Sequence, residues 1–230
     1  MREITFELCA ESIDACVAAR DGGAHRIELC SNLAEGGVTP SLDLIRTAVE
    51  ISSLPLHVLI RARTGNFLYT GPEIKSMRDQ IEHAKRLGAS GVVLGILLED
   101  NTVDIDRTRS LVQLARPMEV TFHRAFDQTP SLHQALDDVI ATGADRILTS
   151  GGASDVFTGS SALAHLLRQA RGRITIAVGG GLRMHNAVAV ALVTGAIHFH
   201  GSLRDDKKPN GTSAVHANTV SRMIQLLQSA

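Results

Sequence analysis

Four side chains stand where a buried strand would ordinarily carry Val, Ile or Leu: Glu7 in "ITFELC", Glu28 in "RIELC", Arg61 ending "LHVLIR" and His123 ending "EVTFH". Carboxylates facing an imidazole are the equipment of general acid–base catalysis, and a guanidinium beside them holds an anionic oxygen. Glu7 or Glu28 is then a candidate base, His123 a candidate acid or electrophile, and Arg61 the anion holder. The chain's only lysines, Lys75, Lys85, Lys207 and Lys208, fall on no strand pattern, which disfavours a Schiff-base mechanism. No Ser-His-Asp spacing or nucleophile elbow appears. For an enzyme, proton transfer of the lyase or isomerase kind remains.

The elements that must place these residues read as an alternation. The four runs above, with "GVVLGI", "RILTS", "ITIAV" and "IHFHG", each lead into a helix-length segment. Eight such units in 230 residues are the sequence form of a (β/α)8 TIM barrel, an α/β fold, here predicted as a single domain over 1–230. Pro72 opens a helix that carries Ile74, Met77, Ile81 and Ala84 on one face and stops at Gly88; Pro130 and Gly143 bracket another. A Gly-Ala pair recurs before each even-numbered strand, in "GGAHRIELC", "LGASGVVLG", "TGADRILTS" and "TGAIHFHGS". Gly there suits a left-handed helix cap. Alignment on the pair makes Cys30, Gly95, Ser150 and Ser202 equivalent strand-end positions.

Composition narrows the partners. With 44% hydrophobic residues and a net charge of −1, the chain reads as a soluble globular domain. The balance of 23 Lys+Arg against 24 Asp+Glu, with no Trp and one Tyr, argues against nucleic acid. "MREITFELC" has no apolar signal region, and the longest apolar run, "GVVLGILL", is far short of a membrane span, so a cytoplasmic location without a membrane partner is expected. Cys9, Cys16 and Cys30 lack CxxC spacing and predict reduced thiols. No nucleotide cofactor is indicated, and a homo-oligomer is left open.

Alternate strand residues face opposite sides, and in a barrel one side meets the helices while the other fills the interior. If Ile4, Phe6 and Leu8 face the helices, Thr5, Glu7 and Cys9 face inward. The same parity sends in Glu28 and Cys30, Arg61 and Arg63, Thr121 and His123, and His198, His200 and Ser202. Arg124 has the opposite parity and is expected to brace the mouth. A Glu-Arg pair in such an interior is also compatible with a purely structural ion pair. The convergence of several carboxylates, arginines and histidines at strand ends, where barrels place catalytic groups, favours a functional pocket.

The loops after strands seven and eight add a second signal. "AVGGGLRMHN" puts Gly179, Gly180 and Gly181 before a helix, and "HGSLR" supplies Gly201 and Ser202. These loops are the recurrent anion site of the fold, which predicts a phosphate or carboxylate there. Tight turns that simply need glycine are the plainer alternative.

With "FELCAES", "RIELCSNLAEGGVTPS", "LIRARTGNFLYT", "VTFHRAFD", "ILTSGG" and "GGGLRMHN" assembled, the chain resembles the CutC family, described as copper homeostasis proteins. The likeness runs from about residue 3 to 205. It implies a cytoplasmic eight-unit barrel that binds or traffics copper. Three departures stand out: Asn66 replaces a carboxylate in "RARTGNF", "DDKKPNGTS" is short, and "GGG" replaces "GAG". Soft Cu(I) prefers thiolate, then imidazole or thioether. On that implication Cys9 and Cys30, with His123 or His200, are the metal candidates, whereas Cys16 reads as packing. Copper carriage and an enzyme acting on a small phosphorylated or carboxylated substrate are the two functions that the sequence supports.

Overall fold

The computed structural model describes residues 2–204 and 215–230. The short "DDKKPNGTS" segment lies outside the described residues. Among them, eight parallel strands close into a barrel in chain order: β1 (Thr5–Ala10), β2 (Arg26–Leu29), β3 (Leu56–Leu59), β4 (Gly91–Leu94), β5 (Glu119–Phe122), β6 (Arg146–Thr149), β7 (Thr175–Gly179) and β8 (His198–Gly201). The helices between them are α1 (Ile13–Asp21), α2 (Leu42–Ser52), α3 (Gly71–Arg86), α4 (Ile105–Ala115), α5 (Leu132–Thr142), α6 (Ser160–Ala170), α7 (Ala187–Thr194) and α8 (Ala217–Gln228). The TIM barrel expected from the alternation is therefore present.

Local chemistry explains the boundaries. Thr70 and Glu73 form a reciprocal capping box at the start of α3, and Pro72 occupies the first turn, where no amide is needed. Pro130 precedes Ser131, whose hydroxyl accepts from the Gln134 amide and caps α5. Each recurrent Gly-Ala glycine, Gly23, Gly88, Gly143 and Gly195, has a φ between +70° and +87°. Only glycine takes that turn cheaply, and it drops the following alanine into the core.

The helix-facing strand residues Phe6, Leu8, Ile27, Val58, Val92, Val120, Ile147, Val178 and Phe199 are buried with the inner faces of the helices. The inner face differs from the usual layers of branched apolar residues. Pairing sets Glu7 beside Arg26 and His200, Glu28 beside His57, Gly91 beside Glu119, and Thr121 beside Arg146. The interior is an ionic column, topped near the mouth by Cys9, Cys30, Leu59 and Val93.

Candidate functional site

The column begins at the N-terminal end of the barrel. Arg26 binds Glu119 at 2.7 Å, and His57 Nε2 lies 3.6 Å from the same carboxylate. Burial holds His57 neutral, at about 3. Its ring has room because residue 91 is glycine: a Cβ there would stand 2.5 Å from it. Higher up, Glu7 receives Arg146 Nη1 at 2.6 Å and His200 Nδ1 at 2.7 Å. Burial opposes its charge, but Arg146 and His200 prevail and keep Glu7 well below the usual carboxylate range.

Above Glu7, Cys9 Sγ lies 3.6 Å from Glu28 Oε1 and 3.7 Å from Cys30 Sγ. Ligand atoms of Cys9, Glu28 and His200 all fall within 4.8 Å of one another. Burial raises Glu28, and the nearby Glu7 charge adds to this. Two carboxyls on neighbouring strands are thus driven apart, Glu7 ionised and Glu28 towards neutrality. The contact with Cys30, followed by burial, pushes the Cys9 thiol well above its usual value. Burial opposes protonation of His200, while Glu28 and Glu7 outweigh it and raise the imidazole.

Cys9, Glu28 and His200 form the floor of a cavity of about 500 Å³ at the C-terminal mouth. One wall is made by the loop after β3. Arg61 Nη1 donates to the Gly37 carbonyl at 2.7 Å and Nη2 to that of Gly65 at 2.7 Å, and the guanidinium lies over Phe67 at 4.9 Å. Phe67 in turn packs against His123, ring centroids 4.7 Å apart. His123 Nδ1 accepts from the Ala125 amide at 3.2 Å, and burial, reinforced by Arg61, holds the imidazole neutral at about 3. Glycine is required opposite it, since a Cβ on Gly95 would come within 2.6 Å of Nδ1.

The facing wall answers why "VTFHRAFD" carries two more charges. After β5 the chain turns through a short 3-10 segment, Arg124–Gln128. Asp127 then binds the start of the loop after β6: its carboxylate accepts from the Ser150 and Gly152 amides at 3.0–3.1 Å and from the Thr149 and Ser150 hydroxyls. Arg124 joins this anchor through Nε to Asp127 at 2.8 Å and Nη2 to Ser150 at 2.9 Å. Its guanidinium lies over Gly180, where φ is +108° and a Cβ would come within 2.8 Å of Cζ.

The expected site residues fall into three places. Cys9, Glu28, Arg61, His123, His200, Gly180, Gly181, Gly201 and Ser202 line the cavity. Glu7 lies one layer beneath it, and Gly179 sits in β7 against Leu148 and His200. Cys30 is fully buried behind Cys9. Neither His123 nor Cys30 belongs to the group of ligand atoms formed by Cys9, Glu28 and His200, and Cys30 approaches it only through Cys9. The helix after the glycine run starts only at Ala187, beyond residues 182–186. Arg63 corrects an expectation: it does not enter the barrel but turns to Glu73 at 2.6 Å and to Asn66 Oδ1 at 3.0 Å. Asn66 therefore serves the rim, as partner of Arg63.

Arg26, His57, Glu119 and Arg146 were missed by the sequence reading, as was Asp127. Among the described residues, no helix is long and apolar enough to cross a membrane.

Similarity to known proteins agrees with this architecture. A chain from Chromobacterium violaceum described as a family protein CutC is 48% identical over 199 residues, covering 86% of this chain and 81% of that one. The human copper homeostasis protein cutC homolog is 41% identical over 202 residues, covering 88% of this chain and 74% of that one. Among solved structures, a copper homeostasis protein CutC from Streptococcus agalactiae superposes with a TM-score of 0.82 at 32% identity, covering 86% of this chain and 98% of that one. N-(5'-phosphoribosyl)anthranilate isomerase from Pyrococcus furiosus has a TM-score of 0.64 at 14% identity, over 99% of this chain and 100% of that one, which shows the barrel alone. The CutC family model matches residues 4–205, and the chain belongs to the CutC family.

Proposed function

We propose that the protein serves copper homeostasis by holding Cu(I) between Cys9 and Cys30, with His200 as third donor. The observation that carries this reading is the 3.7 Å approach of two thiols, Cys9 at the floor of a cavity open at the barrel mouth and Cys30 buried directly behind it. Thiolate and imidazole are the soft and borderline donors that Cu(I) selects. Glu7 occupies Nδ1 of His200 and leaves Nε2 for the metal, as a carboxylate behind a ligating histidine does. The Cys9 thiol is held well above its usual value, so the metal must displace its proton on binding. Relatives described as copper homeostasis proteins support the assignment. The test is an anaerobic Cu(I) competition titration against a chromogenic chelator. The wild-type protein is expected to bind one equivalent, and the Cys9→Ser, Cys30→Ser double variant to lose it. Equal binding by both proteins overturns the assignment.

One observation favours a second reading, an enzyme of the proton-transfer kind on a small phosphorylated or carboxylated substrate. Glu28 Oε2, Arg61 Nε and His123 Nε2 are buried without hydrogen-bond partners among the described residues, and all three residues line the cavity. Copper held by thiols needs none of these atoms. On this reading Glu28→Gln and His123→Gln abolish turnover, and the double cysteine variant keeps it.

A further inference from the structure

The turn after β5 sends two consecutive residues to different tasks. His123 faces the wall built by Phe67, and Arg124 crosses to the glycine loop after β7. Both line the same cavity.

The donor on His123 is defined by its surroundings. The Ala125 amide donates to Nδ1, so Nδ1 is an acceptor and the hydrogen sits on Nε2. The ring is neutral because it is buried beside Arg61. Nε2–H is thus a fixed, uncharged donor, and among the described residues nothing accepts from it. Leaving such a donor unpaired is costly, and a ligand oxygen removes that cost. A neutral imidazole N–H beside a cation suits a carbonyl oxygen that gathers negative charge, the electrophile role known from enolising enzymes.

Arg124 supplies the other end. Its Nε and Nη2 are committed to Asp127 and Ser150, which lock the plane of the guanidinium. The guanidinium, Nη1 included, lies alongside the Gly180 turn, where a Cβ would come within 2.8–3.0 Å of Cζ, Nε and Nη1, so only glycine leaves room. Ser202 and Gly181 border the same space. This is an anchored cation beside a backbone turn, the arrangement that phosphate or carboxylate takes.

We propose that the cavity binds a small organic anion by two points at once, its phosphate or carboxylate at Arg124 over Gly180 and its carbonyl oxygen at Nε2–H of His123. The ligand class is a short-chain oxo compound bearing phosphate or carboxylate. The inference rests on the anion-taking second reading above and adds the carbonyl contact to it. A cavity of about 500 Å³ accommodates such a molecule.

Three probes separate the two contacts. Dihydroxyacetone phosphate carries both groups, glycerol 3-phosphate lacks the carbonyl, and inorganic phosphate offers the anion alone. In calorimetric titrations of the metal-free protein, dihydroxyacetone phosphate is expected to bind about tenfold more tightly than glycerol 3-phosphate. His123→Phe is expected to erase that advantage while inorganic phosphate binds as before, and His123→Gln, which keeps an N–H donor, to restore part of it. Arg124→Met is expected to weaken all three probes. Thermal melts of each variant establish that it is folded. If dihydroxyacetone phosphate has no advantage over glycerol 3-phosphate, or keeps it in His123→Phe, the carbonyl contact is overturned. If none of the probes binds, the anion reading itself fails.

Discussion

Glu7 and His200 meet across the seam where β1 joins β8, with Nδ1 of the imidazole donating to Oε1 at 2.7 Å. The other oxygen of Glu7 takes Arg146 at 2.6 Å, so one carboxylate orients a candidate ligand and neutralises a fully buried guanidinium. Replacement by Gln keeps the shape and removes the charge. Glu7→Gln is expected to cost on the order of 3 kcal/mol of stability, because Arg146 is left uncompensated. It should also weaken Cu(I) binding about tenfold through the loosened imidazole. Urea unfolding and the chelator competition measure the two effects, and an unchanged unfolding midpoint would contradict the role given to Glu7.

Acid should destabilise the fold well before its carboxylates titrate. His57 and His123 are held at about 3 in the folded protein, against 6.5 for a free imidazole. Below pH 6.5 the unfolded chain takes up protons that the folded chain refuses. Stability from these residues is therefore complete above 6.5 and is lost as the pH falls towards 3, at about 1.4 kcal/mol per pH unit for each ring. Glu7, lowered from 4.5, adds its own loss at the acid end of that range. Unfolding curves from pH 7.5 to 5 should show a slope of this sign, made shallower by His200, whose raised imidazole works in the opposite direction, and His57→Leu should reduce it further.

Asp127 holds the wall that carries Arg124. In Asp127→Asn an N–H₂ replaces one oxygen among donors from Arg124, Ser150 and Gly152. The loss expected is about 1.5–3 kcal/mol, the range for hydrogen bonds to a charged group. Binding of inorganic phosphate should fall with it. A variant as stable as the parent would show that the carboxylate is not the anchor.

Two glycines make a matched pair for testing the interior. A methyl group at Gly91 would press on three ring atoms of His57 at 2.5–2.6 Å, whereas one at Gly71, in the first turn of α3, meets nothing within 4 Å. Gly91→Ala is expected to cost about 1–3 kcal/mol by overpacking. Gly71→Ala is expected to be neutral or to gain about 0.4–1 kcal/mol through a stiffer unfolded chain. Equal effects in denaturant titrations would contradict the packing described for His57.

Parity along the strands was enough to send Glu7, Cys9, Glu28, Cys30, His123 and His200 inward, because a two-residue alternation survives wherever the chain is extended. It also applies to Arg26, His57, Glu119 and Arg146, which lie two or four residues before Glu28, Arg61, His123 and Ser150. They were passed over because they sit at or near the starts of their runs, where a polar residue reads as the edge of a strand. Arg63 shows where the rule stops. Strand β3 ends at Leu59, and past that point side-chain direction follows loop contacts such as the one with Glu73. Asp127 was illegible for a different reason. Its partners, Thr149 to Gly152, lie 22 to 25 residues away, and nothing local announces them.

The Glu7 contacts tie β1 to β6 and β8, across 139 and 193 residues of chain. Cys9 and Cys30, by contrast, lie on the first two strands and can meet as soon as those pair. A chain emerging from the ribosome therefore acquires its two thiols early and their imidazole last. Until β8 arrives, Glu7 has only Arg146 of these two partners. Closing the barrel and completing the pocket are one event, so a chain cut short before β8 loses the imidazole on Glu7 and the Gly201 and Ser202 side of the cavity together.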